Sequence, residues 1–93
     1  MASNTEKAIE TYLTRRVEWL GGFTRKFVSW HRGVPDRICF INGAHFVEVK
    51  KATGKLSKLQ RREIKRMREQ GASVYIIKSK EDVDEFCRKV VTD

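Results

Sequence analysis

Apolar residues recur along the chain with two different periods, and the switches between them mark out seven elements. Ile9, Leu13, Val17 and Leu20 repeat at helical spacing, which predicts a first helix over 3–20. Ser3 with Glu6 has the pattern of a capping box at its start, and Gly21-Gly22 closes it. Residues 23–30 read as a first strand, 37–41 as a second and 44–51 as a third. Asn42-Gly43, between the last two, is a strong hairpin signal. The loop Ala52-Thr53-Gly54-Lys55 leads to a second helix over 57–70, closed by Gly71. Residues 73–78 form a fourth strand, apolar enough to be central. Ser79 caps a last helix with the stripe Val83, Phe86, Cys87, Val90 and Val91; Glu81 and Asp82 occupy its first turn, Arg88 and Lys89 its last.

The order α-β-β-β-α-β-α predicts an α/β fold, a mixed sheet flanked by helices. The crossover helix between the third and fourth strands makes those two parallel. At 93 residues, 40% of them hydrophobic, the chain is expected to be one domain, 1–93, with a modest core. Cys39 and Cys87 lie in apolar patterns without metal-ligand spacing, as buried free thiols in a reducing cytoplasm would. No run approaches the ~18 apolar residues of a membrane span. The first residues lack the basic and apolar regions of a signal peptide. Together these predict a cytoplasmic protein without a membrane partner.

Charge changes the picture. Lys and Arg number 20 against 12 Asp and Glu, a formal +8, which suits a polyanionic partner held by phosphate neutralisation. Inside that basic field stand Gly33-Val34-Pro35-Asp36-Arg37 and Phe46-Val47-Glu48-Val49-Lys50. Asp36 entering one strand and Glu48 on the next can hold Mg²⁺, a hard cation that prefers oxygen ligands, with the Val49 carbonyl as a further ligand. Lys50 beside them can orient a water or help deprotonate it for attack on a phosphate. Read separately, Asp36 is a turn residue, and Glu48 with Lys50 is a cross-strand ion pair on a half-exposed strand. Read together in a basic chain, the three predict a metal-dependent phosphodiesterase.

That reading constrains the hairpin, because Asp36, Glu48 and Lys50 must share a sheet face. A two-residue Asn42-Gly43 turn would set Arg37 opposite Glu48 and turn Asp36 away. A three-residue loop, Ile41-Asn42-Gly43, pairs Phe40 with Ala44 and Asp36 with Glu48, so the chemistry predicts the three-residue loop. Gln60 has two readings: the capping partner of Ser57, or a polar group on the inward stripe of Leu56, Ile64 and Met67 that reaches the site. Glu6, near the centre of the first helix's apolar stripe, is the expected third carboxylate, with Glu10 the alternative. Lys26, Arg32, Arg37, Lys51 and Lys55 are expected to grip DNA; the cations of the second helix, Arg62 and Arg66 among them, are solvated surface or a phosphate track. His31 and His45 lack ligand partners. Trp19, Phe23, Phe27 and Trp30 are expected in the core, or in part at a subunit interface.

Taken in order, Glu6-x-x-Ile9-Glu10, Gly21-Gly22, Lys26-Phe27, the Pro35-Asp36 and Glu48-Val49-Lys50 motifs, Leu56-Ser57-x-x-Gln60 and Gly71 closely resemble the VRR-NUC family of the PD-(D/E)XK nuclease superfamily. The resemblance runs from about Glu6 to Phe86. It implies a restriction-endonuclease-like core and Mg²⁺- or Mn²⁺-dependent phosphodiester hydrolysis, with no other small-molecule cofactor. By position it matches Asp36 and Glu48 to metal-binding carboxylates, Lys50 to the catalytic lysine, Gln60 to the helix glutamine, and Glu6 or Glu10 to the first-helix glutamate. Family members this short look like phage-encoded homodimers that act on Holliday junctions, which would place the protein in a host cytoplasm. A two-fold dimer would present two sites to a two-fold branched substrate. The rivals are a nuclease for flaps, nicks or duplex, a non-catalytic DNA-binding module and a basic scaffold protein.

Overall fold

The structure is a computed structural model, described over residues 5–92. Helix α1 spans Glu6–Trp19. Ser3 lies outside the described residues. Thr5 is the cap, its Oγ1 accepting from the Ala8 amide at 3.1 Å, so Glu6 opens the helix. At the other end the chain turns back sharply: a Cβ on Gly22 would sit 2.5 Å from the Phe40 carbonyl oxygen, so only glycine lets α1 hand over to the sheet so closely.

Strand β1, Phe23–Lys26, pairs antiparallel with β2, Arg37–Phe40. It is half the length the sequence suggests. Phe27 still donates to the Asp36 carbonyl at 2.7 Å, and beyond that bond the chain leaves the sheet as a loop. Strand β3, Ala44–Val49, pairs antiparallel with β2, and the register is Phe40↔Ala44 through Arg37↔Val47. The connection is therefore the three-residue loop 41–43, with Asn42 at φ 48 and Gly43 at φ 116. One step beyond Arg37↔Val47, Asp36 comes opposite Glu48.

Helix α2, Lys58–Glu69, crosses to β4, Val74–Ile77, which lies parallel to β3. Helix α3, Lys80–Thr92, ends the chain, and Ser79 Oγ caps it by accepting from the Asp82 amide at 3.0 Å. The sheet order is β1-β2-β3-β4. One face carries the core: Cys39, Val47, Val49 and Ile77 meet Ile9, Leu13 and Val17 of α1 and Val83, Phe86 and Val90 of α3. The opposite face carries Phe46, Glu48 and Ile76 and is covered by α2 through Ile64.

The aromatic residues depart from expectation. Trp19 and Trp30 are 81% and 104% exposed, and Phe23 is exposed as well, against Phe40. Only Phe27 packs inward, edge-on to Phe46 at 5.6 Å between ring centres. The core is too small for indoles here, because α1 and α3 already fill one face with aliphatic side chains and the truncated β1 carries Trp30 out into the loop. Cys39 and Cys87 are free and buried, and burial pushes the Cys39 thiol up to about 12. No described helix is long and apolar enough to cross a membrane.

Candidate active site

Strand alternation does most of the positioning. Val47 and Val49 point into the core, so Glu48 and Lys50 face α2, and Val49 can offer the site only its backbone. Glu48 is the one acidic residue buried with the core among the described residues, 8% exposed. Its carboxyl is pushed above the usual range, chiefly by burial and next by the negative charge of Asp36. Lys50 pulls it down, Glu6 adds to the rise, and a hydrogen bond from Gln60 lowers it. The groups acting on Glu48 are thus Asp36 in the loop before β2, Lys50 just after β3, Glu6 on α1 and Gln60 on α2.

Contacts give this cluster its geometry. Gln60 Nε2 donates to Glu48 Oε2 at 3.2 Å, and Lys50 Nζ stands 3.8 Å from the same oxygen. Both readings of Gln60 hold at once. Its backbone donates to Ser57 Oγ at 3.0 Å, its side-chain oxygen accepts from the Ser57 amide at 2.8 Å, and its amide nitrogen is left to hold Glu48. Asp36 follows the buried Pro35 and is exposed at the mouth.

The two first-helix glutamates separate. Glu10 lies 3.6 Å from Arg37 Nη2 and so neutralises that guanidinium, whereas Glu6 is exposed and its charge reaches Glu48. Arg37 is correspondingly a correction to the expected DNA-gripping set. It is 8% exposed, and its Nη1 donates to Thr24 Oγ1 at 3.0 Å, because strand parity sends it to the core side of β2. Lys26, Arg32, Lys51 and Lys55 remain exposed.

Among the described residues no group of three or more His, Cys, Asp or Glu forms a ready metal cage. His31 lies 3.3 Å from Glu63, and His45 is held between Ser73 Oγ and the Ile41 carbonyl. The donor set on the α2 side still suits a hard divalent cation. Mg²⁺ is commonly bound by one or two carboxylates with waters completing an octahedron. Both contacts to Glu48 fall on Oε2, and no hydrogen bond from the described residues reaches Oε1. That leaves Oε1 of this largely buried carboxylate open, with the charge of Asp36 acting on the same group. A concavity of about 560 Å³ lies nearby between α2 and β4, over Leu56, Ile64 and Ile76, but its lining holds none of these polar groups.

A mixed sheet that carries Asp36 and Glu-x-Lys on neighbouring hairpin strands, backed by a helix glutamine, is the framework of the PD-(D/E)XK nucleases. Comparison with known proteins agrees. The chain matches the VRR-NUC domain over residues 3–81. It is also similar to a solved structure described as a VRR_NUC domain, with 34% identity and a TM-score of 0.81 over 92% of this chain and 97% of that one. Curated proteins gave no match. The chain belongs to the VRR-NUC family, a family of nucleases.

Proposed function

We propose that this nuclease is a metal-dependent, structure-selective DNA endonuclease that resolves four-way (Holliday) junctions as a homodimer. The observation that carries the chemistry is the buried Glu48 carboxylate, held at Oε2 by Gln60 and Lys50 and open at Oε1 beside Asp36. Asp36, Glu48 and the Val49 carbonyl would hold Mg²⁺, or Mn²⁺ in its place, with Glu6 near enough to add charge. The chemistry such an ion supplies is neutralisation of phosphate charge and a lowered pKa for a nearby water.

The remaining work falls to the chain's own groups. Gln60 fixes the carboxylate plane of Glu48, so the open oxygen keeps its direction when DNA arrives. Lys50 Nζ orients the attacking water and offsets the negative charge that builds on the phosphate oxygens. Water oxygen bonds to phosphorus and gives up a proton to solvent, the bond to the departing sugar oxygen breaks, and that oxygen takes up a proton from solvent. Lys26, Arg32, Lys51 and Lys55 neutralise backbone phosphates. No described element presents itself for reading base edges, which favours recognition of shape over sequence. The exposed apolar side chains where α1 meets β1 (Trp19, Leu20 and Phe23) favour a second copy. The buried thiols suit a reducing cytoplasm.

The test is cleavage of a labelled four-way junction and a matched linear duplex with Mg²⁺, Mn²⁺ or EDTA, by wild type and Lys50→Ala. The expected result is metal-dependent cutting of the junction that drops at least about a hundredfold in the variant, with binding kept. Equal cutting of both DNAs keeps the chemistry and removes junction selectivity, leaving a flap, nick or duplex nuclease. Binding without cutting by metal-loaded wild type replaces the enzyme with a DNA-binding module.

A further inference from the structure

The loop between β1 and β2 carries the most exposed large apolar side chain among the described residues, Trp30 at 104%. An indole wholly in water contributes nothing to the core, so its use lies outside the fold. Trp30, His31 and Arg32 on the loop and Leu59, Arg62 and Arg66 on α2 border one groove of about 380 Å³. The carboxylate in its lining, Glu63, is held 3.3 Å from His31 Nε2. No ion pair or side-chain hydrogen bond from the described residues engages Arg32, Arg62 or Arg66. The groove is thus one aromatic face flanked by three free guanidiniums.

It is joined to the nuclease site at two points. A Cβ on Gly33 would lie 2.7 Å from the Leu59 carbonyl oxygen, so the loop is pressed against the first turn of α2, next to Gln60. Trp30 also precedes Asp36 by six residues, a chain reach of at most about 20 Å.

We propose that this groove is a single-strand subsite, in which Trp30 stacks on an unpaired base while Arg32, Arg62 and Arg66 neutralise the flanking phosphates. The inference rests on the nuclease reading and goes beyond it, naming DNA with an unpaired base beside the cut, which a four-way junction offers only where pairing opens at its crossing point. In a duplex the base faces are covered by their neighbours, so an indole finds a free π-face only where a base is unpaired. Stacking of that kind tolerates any base, and guanidiniums beside it track the backbone. A second copy of this chain is the weaker occupant. Each copy carries a formal +8, and seating a second copy on this face would bring more positive charge against three uncompensated arginines.

Two measurements test it, both at low salt in EDTA so that DNA is bound and not cut. In Trp19→Phe, Trp30 is the only tryptophan, and a short oligothymidylate is expected to quench its emission while a blunt duplex does not. Trp30→Ala, compared with wild type by fluorescence anisotropy, is expected to bind a gapped duplex about tenfold more weakly. It loses less on the blunt duplex, and Trp30→Phe recovers most of the affinity. Absence of quenching, or equal losses on both DNAs, overturns the subsite. A fall in sedimentation coefficient of Trp30→Ala alone gives Trp30 to a subunit interface and also overturns it. If Trp30→Ala fails to fold, the quenching experiment decides by itself. Wild type that binds no DNA in any form, in EDTA or with Ca²⁺ supplied in its place, overturns the nuclease reading beneath, an outcome distinct from the other three.

Discussion

Gln60 answers two demands with one amide, and the two can be separated by substitution. Its oxygen closes the cap on the Ser57 amide and its nitrogen holds Glu48. Gln60→Glu keeps an oxygen for the cap but has no donor for Glu48 and sets a third negative charge beside it. Gln60→Ala loses both contacts, with about 1 kcal/mol of helix capping. Cleavage is expected to fall at least about tenfold in both variants. Hydrogen exchange at the Ser57 amide is expected to quicken only in Gln60→Ala; fast exchange in Gln60→Glu too would show the roles are not separable. Single residues were the least legible scale. The capping box at Ser57 and Gln60 was readable from spacing, but the bond to Glu48 depends on the approach of α2 to β3. Arg37 misled for a similar reason: a strand arginine among cations looks like a phosphate ligand until parity puts it under Glu10 and Thr24.

At the scale of elements the β2–β3 hairpin decides most. Its three-residue loop sets Phe40 opposite Ala44 and brings Asp36 alongside Glu48. Deleting Asn42 leaves a two-residue connection, and the whole of β3 must slip by one or the loop must strain. A slip would turn Glu48 and Lys50 into the core and Val47 and Val49 out of it. The deletion variant is therefore expected to melt more than about 10 °C below wild type and to cut no DNA. Asn42→Gly, which keeps the length and loses the 2.7 Å bond from Asn42 Nδ2 to the Val90 carbonyl, is expected to cost about 1 kcal/mol. Thermal melting checks both, and a deletion variant that melts with wild type sinks the register argument. Most of this level was in the sequence. Asn-Gly announced the hairpin, and the need to bring two carboxylates together chose the loop length. Strand β1 is shorter than the apolar Phe27, Val28 and Trp30 suggest, because its pairing with the facing chain stops after the Phe27–Asp36 bond.

For the whole molecule, the fold holds a carboxylate away from water without a fully matched counter-charge, and a divalent cation is expected to relieve that. Mg²⁺ well above its dissociation constant should raise the melting midpoint of wild type by about 5 °C and leave Glu48→Gln unmoved. An equal shift in both would mean that the ion acts elsewhere. Local chemistry along the chain by itself determined the seven elements, their order, the hairpin and the family. Periodicity, caps and turn residues act over a few positions, and each motif spans only a few consecutive residues. Tertiary structure decided where each side chain faces across elements: Glu10 toward Arg37 and Glu6 toward Glu48, Gln60 onto Oε2, Trp19 and Trp30 into water. Those outcomes depend on which surfaces the helices have already filled and where the strand pairing stops, and contacts between residues far apart in sequence set both.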